Sequence, residues 1–137
     1  MDKPVPLIAV VMPVFNEEAV LPETFARLQK LFDEHPRYRW RAILVDDGSS
    51  DQSPALLKAQ AHQDDRFQLV QLTRNFGFQA ALAAGLAATG EADAAITMDA
   101  DLQDPPELIP ELVAKWQAGA GVVLAVRRTR QETGLRR

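Results

Sequence analysis

Cysteine is absent from the 137-residue sequence, which excludes disulfide frameworks, thiolate zinc sites and cysteine nucleophiles. A reducing compartment is permitted, and the cytoplasm is the expected location. No apolar run approaches the roughly 20 residues that span a bilayer, so a transmembrane protein is not expected. The apolar run at 5–15 is interrupted by Pro6 and Pro13 and lacks a basic leader, so it predicts a strand instead of a signal peptide.

Charge is unevenly distributed along the chain. The net charge is −4, yet residues 127–137 contain five arginines and one acid. The acidic remainder argues against a general nucleic-acid surface. For the arginine run the sequence leaves three interpretations open, namely a solvated tail, contacts with phosphate and attraction to anionic lipid. We therefore expect one domain over 1–126 and a basic segment over 127–137.

Short apolar runs alternate with stretches of helical periodicity, and the runs lie at 7–14, 40–46, 67–72, 94–98 and 121–126. This alternation predicts an α/β domain with a mainly parallel sheet. Asp51 or Ser53 is expected to cap the second helix, and Gly90 to end the third. Gly85 and the alanines around it predict close packing of that third helix.

Polar clusters follow each predicted strand, where ligands of an open α/β sheet bind. They are Asn16-Glu17-Glu18, Asp46-Asp47-Gly48-Ser49, Arg74-Asn75, Asp99-Ala100-Asp101 and Arg127-Arg128. Acids gathered on one edge repel one another unless they bind a cation, share protons or contact ligand hydroxyls. A hard divalent cation, Mg²⁺ or Mn²⁺, is the natural solution for carboxylate oxygens.

Neither glycine-rich phosphate loop, GxGxxG or GxxxxGK[ST], occurs in the chain. Dinucleotide-binding and P-loop classes are therefore excluded. A phosphate must instead be held by metal and arginine, an arrangement suited to a diphosphate leaving group in glycosyl transfer.

Four motifs together resemble family 2 glycosyltransferases, and they read PVFNEE at 13–18, VDDGSSD at 45–51, NFG at 75–77 and DADLQDPPE at 99–107. The resemblance is to the branch that makes polyprenyl-phosphate sugars, which includes dolichol-phosphate mannose synthases and undecaprenyl-phosphate glucosyltransferases. It implies a nucleotide-diphospho-sugar transferase fold (GT-A, Rossmann-like), with 1–126 as the catalytic domain that binds a nucleotide sugar. It also implies metal-dependent, inverting transfer from a UDP-glucose or GDP-mannose type of donor to a polyprenyl phosphate. Because family members usually continue further, we expect the N-terminal portion of a longer protein at the cytoplasmic face of a membrane.

The resemblance also implies roles for individual residues. The implied nucleotide-site residues are Pro13, Phe15, Glu17, Val45, Asp47 and Ala100, with Asp47 accepting a hydrogen bond from the base. The implied metal ligands are Asp99, Asp101 and Gln103. The implied catalytic residues are Asp99, Asp101 and Arg127, with Arg127 facing a phosphate. Asn75 and Gly77 are expected to shape the wall beside the donor, and Phe78 and Gln79 are left open between donor and acceptor.

Alternative functions remain open at this point. One is a non-catalytic or truncated module that binds a nucleotide sugar without transferring it. A second is an aspartate-nucleophile phosphatase, suggested by the apolar strand before Asp99 and Asp101, although that motif normally opens its domain. A third is an acidic-pocket signalling receiver, which phosphorylation by a small phosphodonor would support.

Overall fold

The computed structural model describes residues 4–123, which divide between Glu107 and Leu108 into two compact units. The elements in chain order are β1 (Leu7–Val14), α1 (Leu21–Glu34), β2 (Arg39–Asp46), α2 (Ser53–Gln63), β3 (Phe67–Gln71), α3 (Phe78–Ala87), β4 (Ala94–Thr97), a 3₁₀ turn (Pro106–Leu108) and α4 (Ile109–Gln117). The predicted domain boundary at 126 lies outside the described residues.

The strands form a four-stranded parallel sheet in the order β3-β2-β1-β4. All eight residues of β1 are buried, as expected for an uninterrupted apolar strand covered on both faces. Leu7 pairs with Arg39 and Ile8 with Ala94, so the carboxyl ends of the strands share one edge. The predicted α/β class with a mainly parallel sheet is confirmed.

Helix α3 covers the sheet face formed by alternate residues of β1 and β2, among them Val11 and Val45. A Cβ atom at Gly85 would lie only 2.4 Å from Val11 Cγ1 and 2.9 Å from Val45 Cγ2. The helix therefore approaches the strands more closely than any side chain at this position allows. The predicted close packing at Gly85 is confirmed.

Helix α1 covers aromatic residues of the opposite sheet face. Its buried positions recur at three- and four-residue spacing, which gives one apolar stripe. Phe32 stacks on Trp40 with ring centroids 5.1 Å apart, and Phe25 meets Phe67 edge-on at 6.1 Å. These contacts join α1 to β2 and β3.

Three local predictions differ from the structure. Helix α3 ends at Ala87 with Ala88 as its C-cap, so Gly90, at φ +58°, lies beyond the end of the helix. The N-cap residue of α2 is Gln52, whose side chain makes no capping hydrogen bond. Ser53 is instead the first helical residue: its N–H donates to Asp51 Oδ1 at 2.8 Å, and its hydroxyl accepts the N–H of Glu17 at 2.9 Å. The fifth strand is absent at Gly121 and the two residues after it, and 124–126 lie outside the described residues.

Within residues 4–123 no helix combines the length and the apolar character needed to cross a membrane.

Candidate active site

The loops that follow β1 and β2 are hydrogen-bonded to each other along their length. Asn16, in a left-handed conformation at φ +52°, accepts the N–H groups of Ser50 at 2.8 Å and Asp51 at 3.3 Å through Oδ1. The Ser49 hydroxyl accepts the N–H of Asn16 at 3.0 Å, and Asp51 Oδ2 accepts that of Glu18 at 3.1 Å. These hydrogen bonds therefore fix the positions of the two acidic loops relative to each other.

Asp47 fixes the loop that precedes α3. Its carboxylate accepts the N–H of Phe76 at 2.8 Å and that of Gly77 at 3.2 Å. The side-chain amide of Asn75 donates to the Asp47 backbone carbonyl at 3.2 Å. The resemblance assigned Asp47 to a nucleotide base. Because a carboxylate has about four lone-pair sites, the loop contacts leave acceptor capacity for a ligand.

The Asp99-Ala100-Asp101 segment turns immediately after β4. Ala100 is buried, and Asp101 Oδ1 accepts the N–H of Gln103 at 3.1 Å. Leu102, between them, has φ +63°, which is unfavourable for a bulky side chain. The two aspartates therefore belong to a turn and not to a regular strand.

A cavity of about 590 Å³ opens at the carboxyl edge of the sheet. Its lining residues are Pro13, Val14, Phe15, Glu17, Asp47, Asn75, Gly77, Phe78, Asp99, Ala100 and Asp101. Most of the expected nucleotide and metal residues are thus brought together. Val45 is fully buried in the core and Gln103 is exposed outside the cavity lining. Arg127 lies outside the described residues.

The cavity carries concentrated negative charge. The pKa of Glu17 is raised from 4.5, first because burial disfavours its charged form and then because Asp101, Asp51 and Asp99 repel a further negative charge. Such a field favours a cation in the same space.

The side chains of this cavity fit a metal ion that is shared with a substrate. No group of three or more acidic, histidine or cysteine side chains within 4–123 is placed to hold a metal ion. Asp99 and Asp101 nevertheless supply hard carboxylate oxygens. Mg²⁺ and Mn²⁺ accept such ligands, and Mg²⁺ commonly binds through one or two carboxylates, water and substrate phosphates. The donor set therefore fits a divalent cation that a phosphorylated ligand helps to coordinate.

The model of glycosyl transferase family 2 matches residues 9–137. The chain belongs to glycosyl transferase family 2. It is 45% identical over 128 residues to a prophage bactoprenol glucosyl transferase homolog of Escherichia coli, covering 93% of this chain and 41% of that protein. It is also 45% identical over 135 residues to the undecaprenyl-phosphate 4-deoxy-4-formamido-L-arabinose transferase of Pseudomonas aeruginosa, covering 98% and 39%. The resemblance to polyprenyl-phosphate sugar transferases is confirmed, and the chain spans about two fifths of these relatives.

Solved structures of glycosyltransferases share the fold. The glucosyl-3-phosphoglycerate synthase of Mycobacterium tuberculosis, solved with UDP, is 28% identical with a TM-score of 0.66, covering 85% of this chain and 42% of that one. A mannosyltransferase of Pyrobaculum calidifontis, solved with GDP-Man and Mn²⁺, is 22% identical with a TM-score of 0.66, covering 81% and 32%. The expected fold of family 2 is confirmed, and the family favours glycosyl transfer over the phosphatase and receiver alternatives.

Thr24 was not predicted from the sequence as a site residue, yet it contacts the turn that carries Asp99 and Asp101. The hydroxyl of Thr24, on α1, lies 3.0 Å from the carbonyl oxygen of Ala100. A sequence signal existed, because Thr24 is a polar residue on the apolar stripe of α1. Phe78, which the sequence left open, lines the cavity and is 55% exposed.

Proposed function

We propose that this chain binds a nucleotide-diphosphate sugar together with Mg²⁺ or Mn²⁺ in the cavity at the carboxyl edge of the sheet. In a protein that contains it, the sugar is transferred to a polyprenyl phosphate. The observation that carries the proposal is the convergence of Glu17, Asp99 and Asp101 on one cavity in a family 2 chain. The names of its relatives, which include bactoprenol and undecaprenyl-phosphate transferases, support the acceptor class.

Each side of the cavity has a proposed task. Asp99 and Asp101 hold the divalent cation, with Gln103 as the third ligand that the resemblance implies. When bound, the cation supplies positive charge that stabilises the departing diphosphate. On the other side, Pro13 and Phe15 form an apolar wall for the nucleoside.

Further roles at the nucleotide site are proposed for four residues. Asp47 accepts a hydrogen bond from the base, and Glu17 lines the nucleotide site. The small side chain of Ala100 allows the backbone to approach the nucleotide. Val45 supports the site only from the core, since its side chain does not reach the cavity.

The proposed reaction needs no strong general base. A polyprenyl phosphate is already anionic near neutral pH, so one of its oxygens attacks C1 of the sugar directly. The new bond joins that oxygen to C1, and the bond between C1 and the diphosphate oxygen breaks, with its electron pair leaving on the diphosphate. Attack from the opposite side inverts the configuration at C1. Arg127, which the resemblance places against a phosphate, is proposed to stabilise this charge.

The lipid acceptor also suggests where the protein acts. A polyprenyl phosphate resides in a membrane, and the five arginines of 127–137 would be attracted to an anionic membrane surface. We therefore place the reaction at the cytoplasmic face of a membrane.

Calorimetric titration tests the donor site directly. The chain is titrated with UDP-glucose and GDP-mannose, each with and without Mn²⁺, and the titrations are repeated on Asp101→Ala and Asp104→Ala. Asp104 is the matched control because it is an exposed acid of the same segment that does not line the cavity. We expect one donor to bind only with Mn²⁺, to lose binding in Asp101→Ala and to keep it in Asp104→Ala.

Three outcomes contradict the proposal. Equal binding with and without Mn²⁺, or wild-type affinity in Asp101→Ala, removes the assigned cation site. Failure of a folded sample to bind either donor shows that these 137 residues do not form a donor site on their own. If donor binds but no sugar reaches undecaprenyl phosphate in vesicles, the chain is a nucleotide-sugar-binding module.

A further inference from the structure

Thr24 is a buried polar residue on the apolar stripe of α1. Its relative exposure is 0%, and Leu21, Phe25 and Leu28 share the same buried stripe. A buried hydroxyl is unfavourable unless it is hydrogen-bonded. Its partner therefore explains why a hydroxyl at this position is compatible with a stable fold.

The hydrogen-bond partner of Thr24 that matters for the candidate site is the backbone carbonyl of Ala100. Thr24 Oγ1 lies 3.0 Å from the Ala100 oxygen and 3.2 Å from the Val20 oxygen within its own helix. A hydroxyl has one proton and donates one strong hydrogen bond at a time. The Val20 carbonyl already accepts the backbone N–H of Thr24 at 3.1 Å, so the shorter bond to Ala100 is the one that adds a new constraint.

Ala100 is the residue between the two aspartates of the cavity. Immediately beyond it, Leu102 adopts its unfavourable left-handed conformation and Asp101 accepts the N–H of Gln103. Such a backbone conformation persists only when surrounding contacts hold it. The bond from α1 fixes the start of this turn, 76 residues away in sequence.

A second contact joins α1 to the same segment at the surface. Arg27, one helical turn after Thr24, forms an ion pair with Glu107. The Glu107 side chain is 57% exposed, and exposed ion pairs contribute little. Between the two contacts, the buried one from Thr24 is the stronger constraint on the aspartates.

We propose that Thr24 is a positioning residue for Asp99 and Asp101. Its hydroxyl holds the Ala100 carbonyl and thereby sets the placement of the two carboxylates. The consequence for donor affinity rests on the proposed function, whereas the effect on the turn does not.

The test compares three substitutions of two threonines. Thr24→Val removes the hydroxyl at nearly constant shape, and Thr24→Ser keeps the hydroxyl. Thr89→Val is the matched control, because the Thr89 hydroxyl donates to the carbonyl of Leu86 at 2.8 Å, within its own turn and away from the aspartates. Amide hydrogen exchange across 99–103 reports on the turn without any ligand, and calorimetry reports the Mn²⁺-dependent donor affinity.

We expect Thr24→Val to accelerate exchange across 99–103 and to weaken donor binding about tenfold, as for the loss of one buried hydrogen bond. Thr24→Ser should restore both quantities, and Thr89→Val should change neither. Unchanged exchange in Thr24→Val, or equal effects of Val and Ser, would overturn the proposal. If Thr24→Val does not fold, Thr24→Ala against Thr24→Ser makes the same comparison. If the wild type binds no donor, the exchange result still decides the role of Thr24.

Discussion

Gly48 offers the sharpest test of how the loops at the carboxyl edge are packed. It has φ +71°, and a Cβ atom there would lie 2.3 Å from the backbone nitrogen of Asn75 and 2.4 Å from the carbonyl carbon of Arg74. Ordinary contacts begin near 3.4 Å, so the 74–75 backbone must move by about an ångström. Gly48→Ala therefore combines strain at positive φ with a collision against backbone.

The expected cost follows from these two terms. An alanine in the left-handed region costs about 1 to 2 kcal/mol. Overpacking against well-ordered atoms adds about 1 to 3 kcal/mol. We expect Gly48→Ala to lower the free energy of unfolding by about 4 kcal/mol. The N–H groups of Phe76 and Gly77, which the Asp47 carboxylate accepts, follow this backbone directly, so their exchange should accelerate.

Gly77 is the matched control. It lies in the loop that Asp47 holds and also has positive φ, at +103°, yet a Cβ atom added there would meet no atom of residues 4–123 within 4 Å. Gly77→Ala therefore carries strain alone, about 2 kcal/mol. Urea unfolding followed by fluorescence of buried Trp40 measures both variants. A Gly48→Ala variant no less stable than Gly77→Ala would refute the packing argument.

Three further predictions concern single side chains. Hydrogen bonds from Arg66 lower the pKa of Asp64 from 3.8 to about 2, so this stabilisation is complete above pH 3.8 and is lost as the pH falls towards 2. Asp64→Asn should cost about 1 kcal/mol near neutral pH and nothing near pH 2 in urea titrations, and a pH-independent difference would contradict this cause. The buried Nε2 of Gln60 has no hydrogen-bond partner within 4–123, so Gln60→Met should raise the free energy of unfolding by about 1 kcal/mol, while exposed Gln63→Met changes it little. Asn16→Ala should lower the free energy of unfolding by about 1 to 2 kcal/mol because two N–H groups of the neighbouring loop lose their acceptor. Asn16→Asp keeps an acceptor oxygen and should retain most of that stability in the same urea assay.

The sheet and its helices could be predicted because their residues carry strong periodic signals. Strand β1 is apolar throughout, and α1 repeats its buried residues every three or four positions. The cap of α2 was predicted wrongly for a physical reason. Asp51 and Ser53 are both suitable capping residues by type, yet each accepts an N–H group from the β1–α1 connection. Asp51 also accepts the N–H of Ser53 itself. Local sequence cannot show which backbone N–H group will lie within hydrogen-bond distance of each side-chain oxygen.

Part of the candidate site could likewise be predicted from the sequence, and part could not. The gathering of Asp47, Asp99 and Asp101 was predictable, because the carboxyl ends of parallel strands share one edge. The contact between Thr24 and Ala100 was not, since it depends on how closely a helix approaches a turn far away in sequence. The placement of Val45 follows from the two-residue alternation of β2, which directs its side chain against α3 in the core.

The position of the cavity-lining residues in the chain decides how the proposed donor site can be tested, because the chain spans about two fifths of its relatives. Among residues 4–123, every lining residue lies between Pro13 and Asp101, within the first compact unit. The loops that carry them are joined by hydrogen bonds among themselves, with Asp47 holding the loop before α3 and Asn16 holding the loop after β2. These bonds are internal to the unit, so the loops after β1 and β2 and the loop before α3 are joined to one another without residues after 107. The proposed donor binding can therefore be tested on this chain alone, whereas the proposed transfer to a lipid has to be tested on a protein that contains it.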